Sequence, residues 1–170
     1  NGCAIEIAVY SNLSRDHLDY HGTLEAYAEA KALLFRFSSL KVAVINLDDE
    51  HAALMINAAK QNPAQPKILT YSLTQNTADY YITDLSYSLA GATFNLVSPQ
   101  GSFAVQSPLL GHFNVENLVA ALIATEQAGF NLKALVAFVP ELIGAPGRMQ
   151  VIRDGERLFV VDYAHTPDAL

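Results

Sequence analysis

"KVAVINLDDE", residues 41–50, sets an unbroken apolar run, Val42 to Ile45, before an asparagine and two acids. A run that short, with no polar residue alternating through it, reads as a strand covered on both faces, the habit of parallel sheets flanked by helices. Asn46 ends the strand, and Asp48 and Asp49 stand where a helix over 50–60 would start. Upstream, an apolar strand at 7–10 leads through the polar loop 11–22 to Thr23, a cap for a helix over 24–37. Downstream, the proline-containing linker 61–66 precedes a strand at 67–72. Strand, helix, strand, helix, strand predicts an α/β fold: a mostly parallel sheet flanked by helices.

The texture changes at 79–107, "DYYITDLSYSLAGATFNLVSPQGSFAVQS", where β-branched and aromatic residues are broken by "AG" and "SPQG"; closely spaced turn signals predict a small antiparallel β meander. Helical spacing returns over 114–128 with Val115, Leu118, Val119, Leu122 and Thr125, closed by Gly129, and a short helix is expected over 131–138. "MQVIRDGERLFVVDYAH" then reads as a hairpin turning at Asp154-Gly155 into a buried strand that ends at Asp162.

At 170 residues and 51% apolar composition, one well-packed domain is expected. A net charge of -7, from 17 acids against 10 bases, argues against a nucleic-acid binder. The single cysteine, Cys3, cannot close an internal disulfide and is expected as a small buried hydrophobe. No membrane-length apolar run or secretory leader is recognised, so no membrane insertion is expected and the cytoplasm is the expected compartment. The chain begins without methionine, and in "HTPDAL" the residues Thr166, Pro167 and Asp168 open a helix. The expectation is an internal piece of a longer chain.

"RDHLDYHGTLEAYAEAKALLF", residues 15–35, gathers Asp16, His17, Asp19 and His21 in one loop after a strand, the place where open parallel sheets collect ligands. A polar helix-capping loop would look the same. In the helix that follows, Leu24, Tyr27, Ala28, Lys31, Leu34 and Phe35 fall on one face, so Lys31 sits mid-stripe. A lysine there can snorkel to water. Alternatively, burial penalises its charged form; the neutral amine can then take up carbon dioxide as a carbamate, and a cation becomes an oxygen donor for a hard divalent ion.

Four blocks, "SNLSRDHLDYHGTLEAYAEAK", "GHFNVENLVAALIA", "GAPGRMQV" and "VVDYAHTPDAL", run in order from Ser11 to Leu170 and resemble the central, ATP-binding domain of the Mur ligases. The resemblance implies a phosphate-loop type of α/β domain, here incomplete, spanning 1–170 as part of that central domain. No G-x-x-x-x-G-K-[ST] occurs, so the phosphate loop, a domain for the uridine nucleotide and a domain for the incoming amino acid are expected outside this stretch. It implies an ATP- and Mg2+-dependent ligase that adds the third amino acid of the peptidoglycan precursor to UDP-N-acetylmuramoyl-L-alanyl-D-glutamate through an acyl phosphate. The diamino acid is expected to be meso-diaminopimelate, with L-lysine open. A monomer acting on small molecules is expected, without nucleic acid, and inactive as this stretch alone.

By position the resemblance matches Lys31 to the family's carbamylated lysine and His17 to its metal-binding histidine. Asn114 and Asn117 match its adenine-side asparagines, although a helix cap would also explain Asn114. Arg148 matches its nucleotide-contacting arginine, and Asp162 and His165 fall on the ribose or phosphate side of ATP. His51 and His112 receive no role. The competing readings are a folylpolyglutamate synthase-like ligase, for which an "AHNP"-like ending would be expected instead of "AHTP", a carbamyl-lysine metal hydrolase, and a scaffold that kept only the fold.

Overall fold

The computed structural model describes residues 3–13, 23–155 and 157–164. A six-stranded sheet organises them, in the order β1 (Ile7–Tyr10), β2 (Val42–Asn46), β3 (Lys67–Ser72), β4 (Tyr80–Ser88), β5 (Gly91–Ser98) and β6 (Gly101–Ser107). β1, β2 and β3 run parallel in even register, Ile7 opposite Val42 and Val42 opposite Lys67. β4 joins in parallel for only two pairs, Tyr71 with Tyr80 and Ser72 with Tyr81, and then turns antiparallel with β5 and β6. Where that short pairing has no strand partner, the Asp79 carboxylate accepts from the Thr70 backbone N–H at 2.8 Å and from its hydroxyl at 2.8 Å. The α/β architecture and the antiparallel meander are as the sequence predicts.

Two cores form on the two faces of the sheet because β2 is buried at every position. Its side chains divide by parity: Ala43 and Ile45 join Tyr10, Phe35 and Met55 on one face, while Val42 and Val44 join Leu69, Phe94 and Leu96 on the other. The first face is covered by α1 (Leu24–Ala32), which tightens into a 3-10 turn at Leu33–Arg36, and by α2 (Ala52–Lys60). The second is covered by α3 (His112–Gln127) and α4 (Leu132–Phe138).

Helix ends differ from expectation by one or two residues except at the end of α1, which stops more than a turn early. Thr23 caps α1 as expected, its hydroxyl accepting from the Ala26 N–H at 3.1 Å. The regular helix stops at Ala32 rather than 37. Asn62 then donates to the Phe35 and Phe37 carbonyls at 2.9 and 2.8 Å, satisfying acceptors that a helix end leaves free. α2 begins at Ala52, later than 50, because Asp48 and Asp49 are engaged in tying strands together. Gly129, at φ +104°, ends α3 as expected: its N–H reaches the Glu126 carbonyl and the Phe130 N–H reaches that of Thr125.

Two burial expectations are corrected. Cys3 is exposed, because it precedes β1 and belongs to neither core. The hairpin β7 (Gln150–Asp154) and β8 (Arg157–Val161) turns at Gly155 as predicted, but among the described residues it pairs only with itself. β8 is therefore exposed instead of buried, with Phe159, Val160 and Val161 all open to solvent.

Gly91 illustrates how tightly β5 and β6 meet. It sits at φ +126°, and a Cβ built there would lie 1.9 Å from the Ser107 carbonyl oxygen. Gly91→Ala is expected to cost more than about 1 kcal/mol, since backbone strain and steric overlap act together. Equilibrium urea unfolding measures it.

Candidate functional site

The carboxyl ends of β1, β2 and β3 are drawn together by the turn that follows β2. Asn46 Nδ2 donates to the Ser11 carbonyl at 2.8 Å, at the end of β1. Asp49 accepts from the Tyr10 hydroxyl at 2.6 Å through Oδ1 and from the Leu13 N–H at 2.9 Å through Oδ2. Asp48 reaches the other way, accepting from the Ser72 hydroxyl at 2.5 Å, the Leu73 N–H at 2.6 Å and the Thr74 hydroxyl at 2.5 Å. Burial pushes the Asp48 carboxyl up, but the hydrogen bonds from Ser72, Thr74, Leu73 and Gln75 outweigh it and hold the group below the ordinary carboxylate value. His51 Nδ1 is buried 3.4 Å from Asp49 Oδ1 without hydrogen-bond geometry.

Lys31 lies in the last turn of α1. The buried seam of that helix is Ala28 and Ala32, continued by Phe35. The expectation of a core-facing lysine is therefore corrected: Lys31 precedes Ala32 by about 100° of helical rotation and is half-buried on the seam's flank. Its ammonium stands 4.9 Å from the centre of the Tyr27 ring. The side chain lines a cavity of about 170 Å3 against Tyr10, Ser11 and Asn12, the segment that Asn46 and Asp49 hold. His17, with Asp16, Asp19 and His21, lies outside the described residues, as does His165.

Asn114, Asn117 and Arg148 meet at a second, larger cavity of about 480 Å3, walled by Leu109, Phe113, Leu118 and Leu142. α3 starts at His112 after Gly111, so Asn114 is inside the first turn and does not cap it. Its Nδ2 instead donates to the Leu110 carbonyl at 2.6 Å, which fixes the amide plane. Arg148 is carried by a loop that Asp162 fastens: the carboxylate accepts from the Met149 N–H at 2.7 Å and from the Ala164 N–H at 2.7 Å. The Arg148 guanidinium lies 5.7 Å from the Tyr163 ring centre. Asp162 thus supports the arginine's loop, a job that its place at a strand end does not announce. Phe113 and Leu142, which sequence reasoning passed over, supply the apolar walls; a phenylalanine beside an asparagine at a helix start was the one available signal.

Glu116, on the same helix, lies near His112 and close enough to Asn46, Asp48 and Asp49 for them to shift its carboxyl. Burial pushes its carboxyl above the ordinary value of 4.5; His112 and the Asn46 amide oppose the rise, while the charges of Asp48 and Asp49 add to it. His112 Nε2 is 3.8 Å from Glu116 Oε1, and its Nδ1 is 3.0 Å from the Tyr87 hydroxyl. Nearby negative charge and burial also raise the fully buried Tyr71 phenol, whose hydroxyl has no hydrogen-bond partner among the described residues.

Polar ties across the ends of β1, β2 and β3, a cavity beside them that Lys31 lines, and a second cavity lined by Asn114, Asn117 and Arg148 mark an open-sheet α/β domain, a class whose ligands collect beyond the carboxyl ends of the strands. The chain belongs to the Mur ligase family, its residues 1–125 matching the Mur ligase middle domain. It is 46% identical over 166 residues to the UDP-N-acetylmuramoyl-L-alanyl-D-glutamate--2,6-diaminopimelate ligase of Pseudomonas aeruginosa, with 97% of this chain and 33% of that protein covered. Against the ligase of the same name from Synechococcus elongatus it is 44% identical, covering 100% of this chain and 34% of the relative. A solved structure bearing that enzyme name aligns at a TM-score of 0.90 and 87% identity, over 99% of this chain and 34% of the other. The chain spans about a third of the length of the relatives it matches. Among the described residues no helix is long and apolar enough to cross a membrane.

Because the Glu116 carboxyl is raised in the folded state, the fold favours its protonated form. Its stabilising share is present below the unfolded value and is lost as pH rises through the folded one. Glu116→Gln, which mimics the neutral form, is expected to change the melting temperature little near pH 4 and to raise it relative to the parent toward pH 8, as thermal scans across that range will measure.

Proposed function

We propose that this chain is part of the central, ATP-binding domain of an amide ligase. The full-length enzyme joins meso-diaminopimelate to UDP-N-acetylmuramoyl-L-alanyl-D-glutamate in peptidoglycan precursor synthesis, working in the cytoplasm as a monomer on small-molecule substrates. The observation that carries the reading is the convergence of Asn114, Asn117 and Arg148 on one cavity of about 480 Å3 in a Mur ligase chain.

The residues present suit a nucleotide. Flat apolar walls from Phe113, Leu109 and Leu142 can sandwich a purine, and an amide both donates to and accepts from a purine edge. Arg148 offers a planar fork to phosphate oxygens, and Asp162 keeps its loop in register. His165 would act beside them on the ribose or phosphate side. Magnesium fits Lys31 only in carbamate form, since an ammonium has no lone pair to give; the Lys31 carbamate and His17 would then hold the ion. When bound, Mg2+ supplies neutralisation of the charge that separates ATP from an anionic acceptor. Carbamylation balances simply: the neutral Lys31 nitrogen attacks the carbon of CO2, a C=O π pair moves onto oxygen, and the nitrogen's proton leaves to solvent.

In the reaction, the γ-phosphoryl passes to the acceptor carboxylate, and the amine of the diamino acid displaces phosphate from the acyl phosphate to leave an amide. Charge-assisted hydrogen bonds of about 1.5–3 kcal/mol set the scale for Arg148→Ala, which should raise the KM for ATP about tenfold or more in the full-length ligase. The check is ADP release with the dipeptide acceptor and meso-diaminopimelate, L-lysine serving as comparison; failure of both diamino acids to support ADP release would refute the assignment. Lys31→Ala should abolish turnover, and added short-chain carboxylate should restore part of it. Full activity in the alanine variant without such rescue would remove the carbamate from the mechanism.

A further inference from the structure

Lys31 faces a wall made by the last residue of β1 and the two that follow: Tyr10, Ser11 and Asn12 line the 170 Å3 cavity with it. Of that wall only Tyr10 lies in a strand, paired with Ile45 of β2, and three side-chain hydrogen bonds from the end of β2 and the turn after it fix the wall. Asn46 holds the Ser11 carbonyl at 2.8 Å, and Asp49 holds the Tyr10 hydroxyl at 2.6 Å and the Leu13 N–H at 2.9 Å. The Asp49 side chain is only 10% exposed, so these bonds are made where water competes poorly. Asp48, its neighbour in the chain, instead accepts from Ser72, Leu73 and Thr74 at the end of β3. Adjacent carboxylates therefore do separable jobs, one bracing the lysine's wall and one bracing the far strand.

We infer that Asp49, assisted by Asn46, is a positioning residue for Lys31: it fixes the Tyr10–Leu13 segment at the distance that sets the space around the lysine amine, and so the ease with which a carbamate forms and persists there. The inference rests on the carbamate reading of Lys31 given above. A wall free to drift no longer holds open a fixed, shaped space beside the lysine, so a planar carbamate there loses the surface it would rest against. Asp49→Asn keeps an acceptor for Tyr10 and for the His51 N–H but turns an amide NH2 toward the Leu13 N–H, so one anchor becomes a donor facing a donor.

The test uses the full-length protein equilibrated with 13C-labelled bicarbonate, reading the carbamate carbon by NMR as bicarbonate is varied. Asp49→Asn should need about tenfold more bicarbonate for half-occupancy, the scale of a lost charge-assisted hydrogen bond. Tyr10→Phe, which removes one anchor and little volume, should shift the curve in the same direction by less, and keeps the test alive if the Asp49 variant folds poorly. Asp48→Asn should lower the melting temperature and leave the carbamate curve where the parent has it. Superimposable curves for the parent, Asp49→Asn and Tyr10→Phe, or an equal shift in Asp48→Asn, would overturn the positioning role. Absence of any Lys31 carbamate in the parent would instead overturn the reading of the lysine itself, and this inference with it.

Discussion

Two neighbouring carboxylates, Asp48 and Asp49, tie together strand ends that the sheet's own ladder does not reach. A parallel sheet leaves its carboxyl edge as a row of loops leaving in different directions, and backbone pairing stops where those loops begin. Here the turn after the central strand sends Asp49 to β1 and Asp48 to β3, with bonds of 2.5 to 2.9 Å to hydroxyl and amide donors on either side. The cost of partly burying two charges is offset because each carboxylate is met by several donors rather than by a countercharge. The cavity wall opposite Lys31 inherits its geometry from these ties.

The larger cavity depends on a different device. Its amides ride on a helix whose buried side, Val115, Val119 and Ile123, is locked into the core, so Asn114 and Asn117 are presented from a rigid element. Arg148 comes from an exposed loop and would wander without the Asp162 carboxylate holding the Met149 amide. Rigid amides and a fastened guanidinium form a reasonable division of labour for a ligand with a flat base and a mobile phosphate chain. The relatives that share this arrangement's family are about three times as long as this chain.

What the sequence discloses and what it hides follow from the range of the forces involved. The strand Val42–Asn46, the Thr23 cap, the Gly129 stop and the Asp154-Gly155 turn were all legible, because each depends on residues within a few positions of one another. Asp48 and Asp49 were read as a helix start, and Asp49 does accept from the His51 N–H there, but their other partners, Tyr10 and Ser72 among them, lie 24 to 39 residues away and no local rule finds them. Asn114 fits a cap pattern and proves to sit inside the helix, since Gly111 lets the helix begin earlier. The strand Arg157–Val161 has a buried strand's composition and an exposed strand's environment, because composition does not say what a face packs against. Lys31 was misplaced by periodicity, which set it in the middle of the apolar stripe; the buried seam is Ala28, Ala32 and Phe35, and the lysine lies on its flank, lining the cavity at the end of β1. Grouping Asn114, Asn117 and Arg148 came from the family resemblance, and the structure brings those three around one cavity.

Amide hydrogen exchange at Leu13 and Leu73 addresses the strand-end ties most directly. Neither N–H belongs to a strand, and each has a carboxylate as its acceptor, Asp49 at 2.9 Å and Asp48 at 2.6 Å. If the two acids lock the carboxyl edge of the sheet, both amides will exchange with protection comparable to that of Val44 in the central strand, and that protection will fall as pH is lowered enough to protonate the carboxylates. Exchange at the rate of an open loop near neutral pH, with Val44 still protected, would contradict the account.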